Sequence, residues 1–93
     1  MARRVDANQK EVVKAFRDMG CTVLILSDMG KGCPDVVVGL NNCNYLVEIK
    51  NGKRPLSGQK LTFDEQAFFD TWRGQVDIIR SIEEAVLFIK AKI

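Results

Sequence analysis

The chain has 93 residues, room for one domain at most, and apolar residues at 46% beside charged ones at 28% give the balance of a folded globular protein. It contains no histidine, which excludes His-ligated zinc, His-based triads and histidine-centred nucleases, so any catalysis must run on carboxylates, lysines or thiols. The net charge is only +2, but residues 1–60 carry ten Lys/Arg against six Asp/Glu and residues 61–93 four against six, an asymmetry that suits a phosphate-backbone partner.

No apolar run reaches the roughly 20 residues of a membrane span, and MARRVDANQKE has no apolar core of a signal peptide. A cytoplasmic setting is expected. Cys21, Cys33 and Cys43 are odd in number and lack C-x2-C spacing, so they read as small, mostly buried thiols.

Asp6 with Gln9 resembles a capping box. Val12, Val13, Phe16 and Met19 then recur at helical spacing until Gly20. Residues 21–27 are short, apolar and β-rich, and read as a buried strand. A glycine-broken loop leads to a second strand, 34–40, a turn at 41–44 and a third strand, 45–50. Residues 51–60 are polar, basic and punctuated by Gly52, Pro55 and Gly58, as a loop is. Thr62 with Glu65 forms another capping box, opening a helix to about Arg73. Residues 75–79 make a fourth strand, and Ser81 with Glu84 caps a last helix. The order is αβββαβα.

Charged residues in short apolar strands are costly to bury without partners. Asp35 stands at the mouth of the second strand, and Glu48 and Lys50 at the end of the third. Strand side chains alternate, so Glu48 and Lys50 share a face and Ile49 takes the other. A two-residue hairpin loop pairs Asp35 with Glu48, and a four-residue loop pairs it with Lys50. Either gathers the three on one face, whereas a three-residue loop does not. Two carboxylates and a lysine suit a hard cation such as Mg²⁺ and water activation on it. A plain salt-bridged strand pair is the alternative.

Gly32-Cys33-Pro34-Asp35, followed thirteen residues on by Glu48-Ile49-Lys50, resembles the PD-(D/E)XK nuclease signature. Leu61 to Gln66 and Trp72-Arg73-Gly74 resemble its VRR-NUC branch, the virus-type replication-repair nucleases, across nearly the whole chain. The resemblance implies a restriction-endonuclease-like α/β core, a mixed four-stranded sheet flanked by helices, as a single domain over residues 1–93. It implies Asp35 and Glu48 as metal ligands, the Ile49 carbonyl beside them, and Lys50 acting on the water. Glu11 on the first helix would face the metal, through water. Gln66 would hold Lys50 or a water, as a half-buried amide bordering the apolar stripe of Phe63 and Phe69. The implied protein is an Mg²⁺- or Mn²⁺-dependent homodimeric endonuclease of branched DNA such as four-way junctions, of phage type, needing no small-molecule cofactor. A non-catalytic nucleic-acid-binding module, or a nickase or single-strand nuclease, are the other readings.

Lys31 lies between Gly30 and Gly32, but the phosphate-loop motif G-x-x-x-x-G-K-[ST] fails, so it reads as a flexible-loop lysine able to touch a phosphate. Lys53, Arg54 and Lys60 are the stronger candidates for DNA backbone contact, with Lys10, Lys14, Arg17, Arg3 and Arg4 as additions. No interleaved aromatics suggest base stacking. On the last helix, Ile82, Ala85, Val86, Ile89 and Ile93 form one apolar stripe, while Leu87, Phe88 and Ala91 lie around the back. That back face is expected to bring Leu87 or Phe88 to a homodimer interface, unless Phe88 tucks under loop 51–60.

Overall fold

The computed structural model describes residues 7–93. Asp6, Arg3 and Arg4 lie outside the described residues. The elements run α1 (Gln9–Asp18), β1 (Thr22–Ile25), a 3-10 turn (Ser27–Met29), β2 (Val36–Leu40), β3 (Cys43–Ile49), a second 3-10 turn (Leu56–Gln59), α2 (Phe63–Thr71), β4 (Asp77–Ile79) and α3 (Ile82–Lys90). The sheet order is β1-β2-β3-β4, antiparallel except for the parallel β3–β4 pair. The expected mixed α/β architecture is therefore present.

The β2–β3 hairpin fixes the register. Asn41 and Asn42 both have positive φ, 52° and 65°, which asparagine tolerates better than most residues and which a tight two-residue turn requires. Leu40 then pairs with Cys43 and Val36 with Val47. The turn is two residues, not four, β3 starts at Cys43, and the next step outward sets Asp35 opposite Glu48.

Alternation sorts the two faces. Val36 and Val38 of β2, Val47 and Ile49 of β3 and Ile79 of β4 form one buried cluster with Val12, Val13 and Phe16 of α1 and Ala85 and Ile89 of α3. Asp35 and Glu48 belong to the opposite face, under the first turn of α2.

Several ends differ from the sequence reading. α1 starts from Asn8, whose side chain makes no cap. Its amide instead donates to the carbonyls of Lys50 and Arg80, at 3.0 and 3.1 Å. Gln9, read as the partner of Asp6, is buried and donates to Ser27 Oγ at 2.9 Å. The box at α2 is complete: Thr62 Oγ1 accepts from the Glu65 N–H and Glu65 Oε1 from the Thr62 N–H. At α3, Ser81 accepts from the Glu84 N–H, but the Glu84 carboxylate reaches back one residue further, to the Arg80 N–H. Of the cysteines only Cys21 is buried; Cys33 is half-buried and Cys43 exposed.

The back of α3 is partly satisfied within the chain. Phe88 meets Tyr45 of β3 edge to face, ring centroids 5.7 Å apart, with the Lys92 ammonium over both rings. Leu87 remains exposed, as does Ile93, which lies past the helix end and outside the buried stripe. Next to Tyr45, in the middle of β3, the Gln75 side chain donates to the Leu46 carbonyl and accepts from its N–H, both at 2.8 Å, just before β4 begins. Among the described residues, no helix is long and apolar enough to cross a membrane.

Candidate active site

Three elements converge on a cleft of about 430 Å³. The end of β3 supplies Glu48 and Lys50, the mouth of β2 supplies Asp35, and the first turn of α2 supplies Glu65. All four side chains are buried, with Glu48 only 1% exposed. Arg54 and Lys60, both exposed, form the cationic rim.

Each position has a local cause. The Ile49 N–H donates to Asp35 Oδ2 at 2.7 Å, so Asp35 closes the hairpin ladder with its side chain. The Lys50 N–H donates to the Ile79 carbonyl, extending the β3–β4 ladder one residue past the strand. Gly32, with φ at 79°, lies against the backbone of Asp64 and Glu65, where any Cβ would collide. The glycine before Cys33-Pro34-Asp35 thus lets the first turn of α2 approach β2.

Lys50 Nζ sits 2.7 Å from Glu65 Oε1 and 3.7 Å from Glu48 Oε2. Burial pushes the Glu48 carboxyl up to about 9, assisted by the negative charge of Asp35 and by Glu65. Burial also favours the neutral form of Glu65, but Lys50 and the Thr62 N–H outweigh it and hold that carboxyl below its ordinary range. Two glutamates on one lysine are thereby driven in opposite directions.

Glu48 Oε1 is buried and has no hydrogen-bond partner among the described residues. An orphaned carboxylate oxygen beside a second carboxylate is a costly arrangement that a cation would relieve. Asp35, Glu48 and the Ile49 carbonyl are oxygen donors of the kind Mg²⁺ and Mn²⁺ take. Among the described residues no three acidic or thiol side chains form a complete cage, so such an ion would keep water or take substrate oxygens. The residues fit a partly open hard-cation site.

The other sequence candidates divide by location. Gln66 does not touch the site; it is exposed and donates to Asp70 Oδ1 at 2.8 Å. The expected stripe beside it is absent, since Phe63 is 89% exposed. Glu65, one residue earlier and not singled out from sequence, holds Lys50 instead. Its capping-box spacing was visible, but not its second bond. Glu11 is exposed and lines an adjoining cleft of about 460 Å³, along with Lys53 and Arg80, separate from the Asp35 cleft. Lys10, Lys14 and Arg17 border a third, mostly apolar depression, and Lys14 pairs with Asp18 at 2.6 Å. Lys31 is exposed, next to the Gly32 contact with α2, and with φ at 53°.

No protein-family model and no curated protein matches the chain. A solved structure described as a VRR_NUC domain does, with a TM-score of 0.57 and 26% identity, over 88% of this chain and 89% of that one. The chain is thus similar in fold and sequence to a VRR-NUC domain. That likeness supports a nuclease of PD-(D/E)XK type, and Asp35, Glu48 and Lys50 stand on or beside adjoining strands here. The match spans nearly all of both chains, so it concerns the whole described fold and not an isolated motif.

Proposed function

We propose that this VRR-NUC-like protein is a divalent-metal-dependent endonuclease that hydrolyses phosphodiesters of branched DNA, four-way junctions among them. The observation that carries the reading is the orphaned, buried Glu48 oxygen beside Asp35, at the bottom of a cleft with a cationic rim. A module that merely binds DNA gains nothing from buried acids facing an anion, whereas a cation-dependent site needs them.

Asp35, Glu48 and the Ile49 carbonyl would hold Mg²⁺ or Mn²⁺, which supplies activation of water and neutralisation of developing phosphate charge. Lys50 is the residue aimed at the reacting atoms. Held by Glu65 against free rotation, its ammonium orients the attacking water and stabilises the charge that grows on the phosphoryl oxygens. Arg54 and Lys60 engage phosphates on either side of the scissile one. Lys53, Lys31, Lys10 and Lys14 act further along the backbone of a longer substrate. Glu11, across Asn51 from the metal ligands, acts on that site only through intervening water.

One chain carries one such site, and resolving a four-way junction takes two symmetric cuts. A two-fold homodimer supplies both, each copy using the same patch. Exposed Leu87 on α3 belongs to that patch.

The test is cleavage of four-way junction, flap, duplex and single-stranded DNA of matched sequence, with Mg²⁺ or Mn²⁺ and with EDTA. Metal-dependent cutting strongest on the junction is expected. Cutting in EDTA, or none on any DNA with either metal, would overturn the reading.

A further inference from the structure

Two large apolar side chains stand in solvent beside this cleft. Phe63 is 89% exposed and Leu56 82%. Each is within two residues of positions that line the cleft: Thr62 precedes Phe63, and Arg54 and Gly58 flank Leu56. Neither is exposed because its segment is loose. The loop carrying Leu56 is bonded to itself: Gln59 Nε2 donates to the Arg54 carbonyl at 2.6 Å, the Gly58 N–H to the Pro55 carbonyl at 2.8 Å, and the Arg54 N–H to the Asn51 carbonyl at 3.1 Å. Phe63 is the first residue of α2, and the capping box fixes its turn. Two residues of helix turn a side chain by about 200°. The geometry that aims Glu65 at Lys50 therefore aims Phe63 away from the core.

We propose that Phe63 and Leu56 form an apolar wedge that stacks on or inserts beside unstacked bases next to the scissile phosphate. The inference rests on the nuclease reading and names what the site recognises: DNA whose stack is already interrupted, as at a branch point. The occupant follows from the surroundings. Arg54 and Lys60 attract a phosphate backbone to this rim, and a backbone held there brings its bases to the adjacent apolar side chains. A continuous duplex hides its base faces and offers such side chains nothing. An interrupted stack offers a π-face to the ring and an apolar gap to the leucine.

The probe is a four-way junction carrying 2-aminopurine at the branch, titrated in Ca²⁺ and compared with cleavage in Mn²⁺. Wild type should change the probe's fluorescence at the branch but not within a duplex arm. The Phe63→Ser, Leu56→Ser double variant should lose that change, and its junction-to-duplex cleavage ratio should fall about tenfold, on the scale of one lost base–aromatic stack. Phe63→Trp should retain both. Both residues are exposed, so the variants leave the core intact. An unaltered fluorescence response and cleavage ratio in the double variant would overturn the wedge. So would light scattering showing that Phe63→Ser splits a dimer, since the ring would then belong to an interface between copies. Failure of the nuclease reading looks different: no DNA is cut by wild type in either metal, while the fluorescence response is present and lost in the double variant.

Discussion

The two faces of the β2–β3 hairpin are built from neighbouring residues and do opposite things. Ile49 points into the cluster made with α1 and α3, and Glu48, one residue earlier, points into a cleft with Asp35, Lys50 and Glu65. Both are almost wholly buried, at about 1% exposure each. Burial of Ile49 stabilises the fold; burial of Glu48 costs stability and appears as a carboxyl pushed up to about 9. A strand's period of two lets one segment carry the core and the strain of the site without mixing them.

Removing the charges on the polar face should have the largest effect. Asp35→Asn or Glu48→Gln should take cleavage below detection, while binding of DNA survives, because less negative charge beside phosphates does not weaken their attraction. A gel-shift in Ca²⁺ beside a cleavage assay in Mn²⁺ checks both halves, and full activity in both variants would remove the metal assignment. Lys50→Ala should lose about 10²–10³-fold in kcat with metal binding retained. Glu65→Ala should lose about 10–100-fold, and Glu65→Gln, which still accepts from Lys50 and Thr62, should recover much of it. Equal loss in Ala and Gln would mean that the charge of Glu65, and not its hydrogen bonds, is what the site uses.

The apolar face should respond in stability alone. Ile49→Ala should cost about 2–5 kcal/mol by denaturant unfolding, while the folded fraction keeps its metal dependence. A selective loss of cleavage would show that the two faces are coupled.

The pH dependence sharpens the contrast. Folded Glu48 binds its proton far more tightly than the unfolded chain, where a glutamate titrates near its ordinary 4.5. Its contribution to stability is thus complete below 4.5 and is lost as pH rises toward 9. Glu65 runs the other way, losing its contribution only as pH falls below its ordinary range. The Tm of metal-free protein should fall between pH 5 and 9, Glu48→Gln should flatten that slope, and Mn²⁺ should raise Tm most at the alkaline end. Thermal scans with and without EDTA measure this, and a flat wild-type profile would mean that Glu48 is ionised throughout. Smallest of all, Arg54→Ala with Lys60→Ala should lower the salt slope of DNA binding by about one unit per lost phosphate contact.

The hairpin was legible because its signals are local and agree: Asn-Asn for the turn, alternation for the faces, and charges where the apolar pattern breaks. Within the site, Glu65 was obscured in favour of Gln66 because adjacent helix positions differ by about 100° and α2 offers no apolar stripe to set its phase. Phe63, Ala67, Phe68 and Phe69 surround the helix, and the residue that settles its orientation is Lys50, fifteen positions back. The place of Glu11, in the adjoining cleft, was hidden for a related reason. Asn8 ties the start of α1 to the carbonyls of Lys50 and Arg80, contacts 42 and 72 residues away in sequence, and these set where the helix begins.

The bidentate grip of Gln75 on Leu46 has a consequence for life at high concentration. β4 is three residues long and leaves the first half of β3 without a neighbour on that side. Bare strand edges are templates on which other chains add in amyloid-like growth. Here one side-chain amide imitates a missing backbone unit, occupying both the donor and the acceptor that an incoming strand would seek first. Gln75 thus acts as a stopper against sheet extension at Leu46.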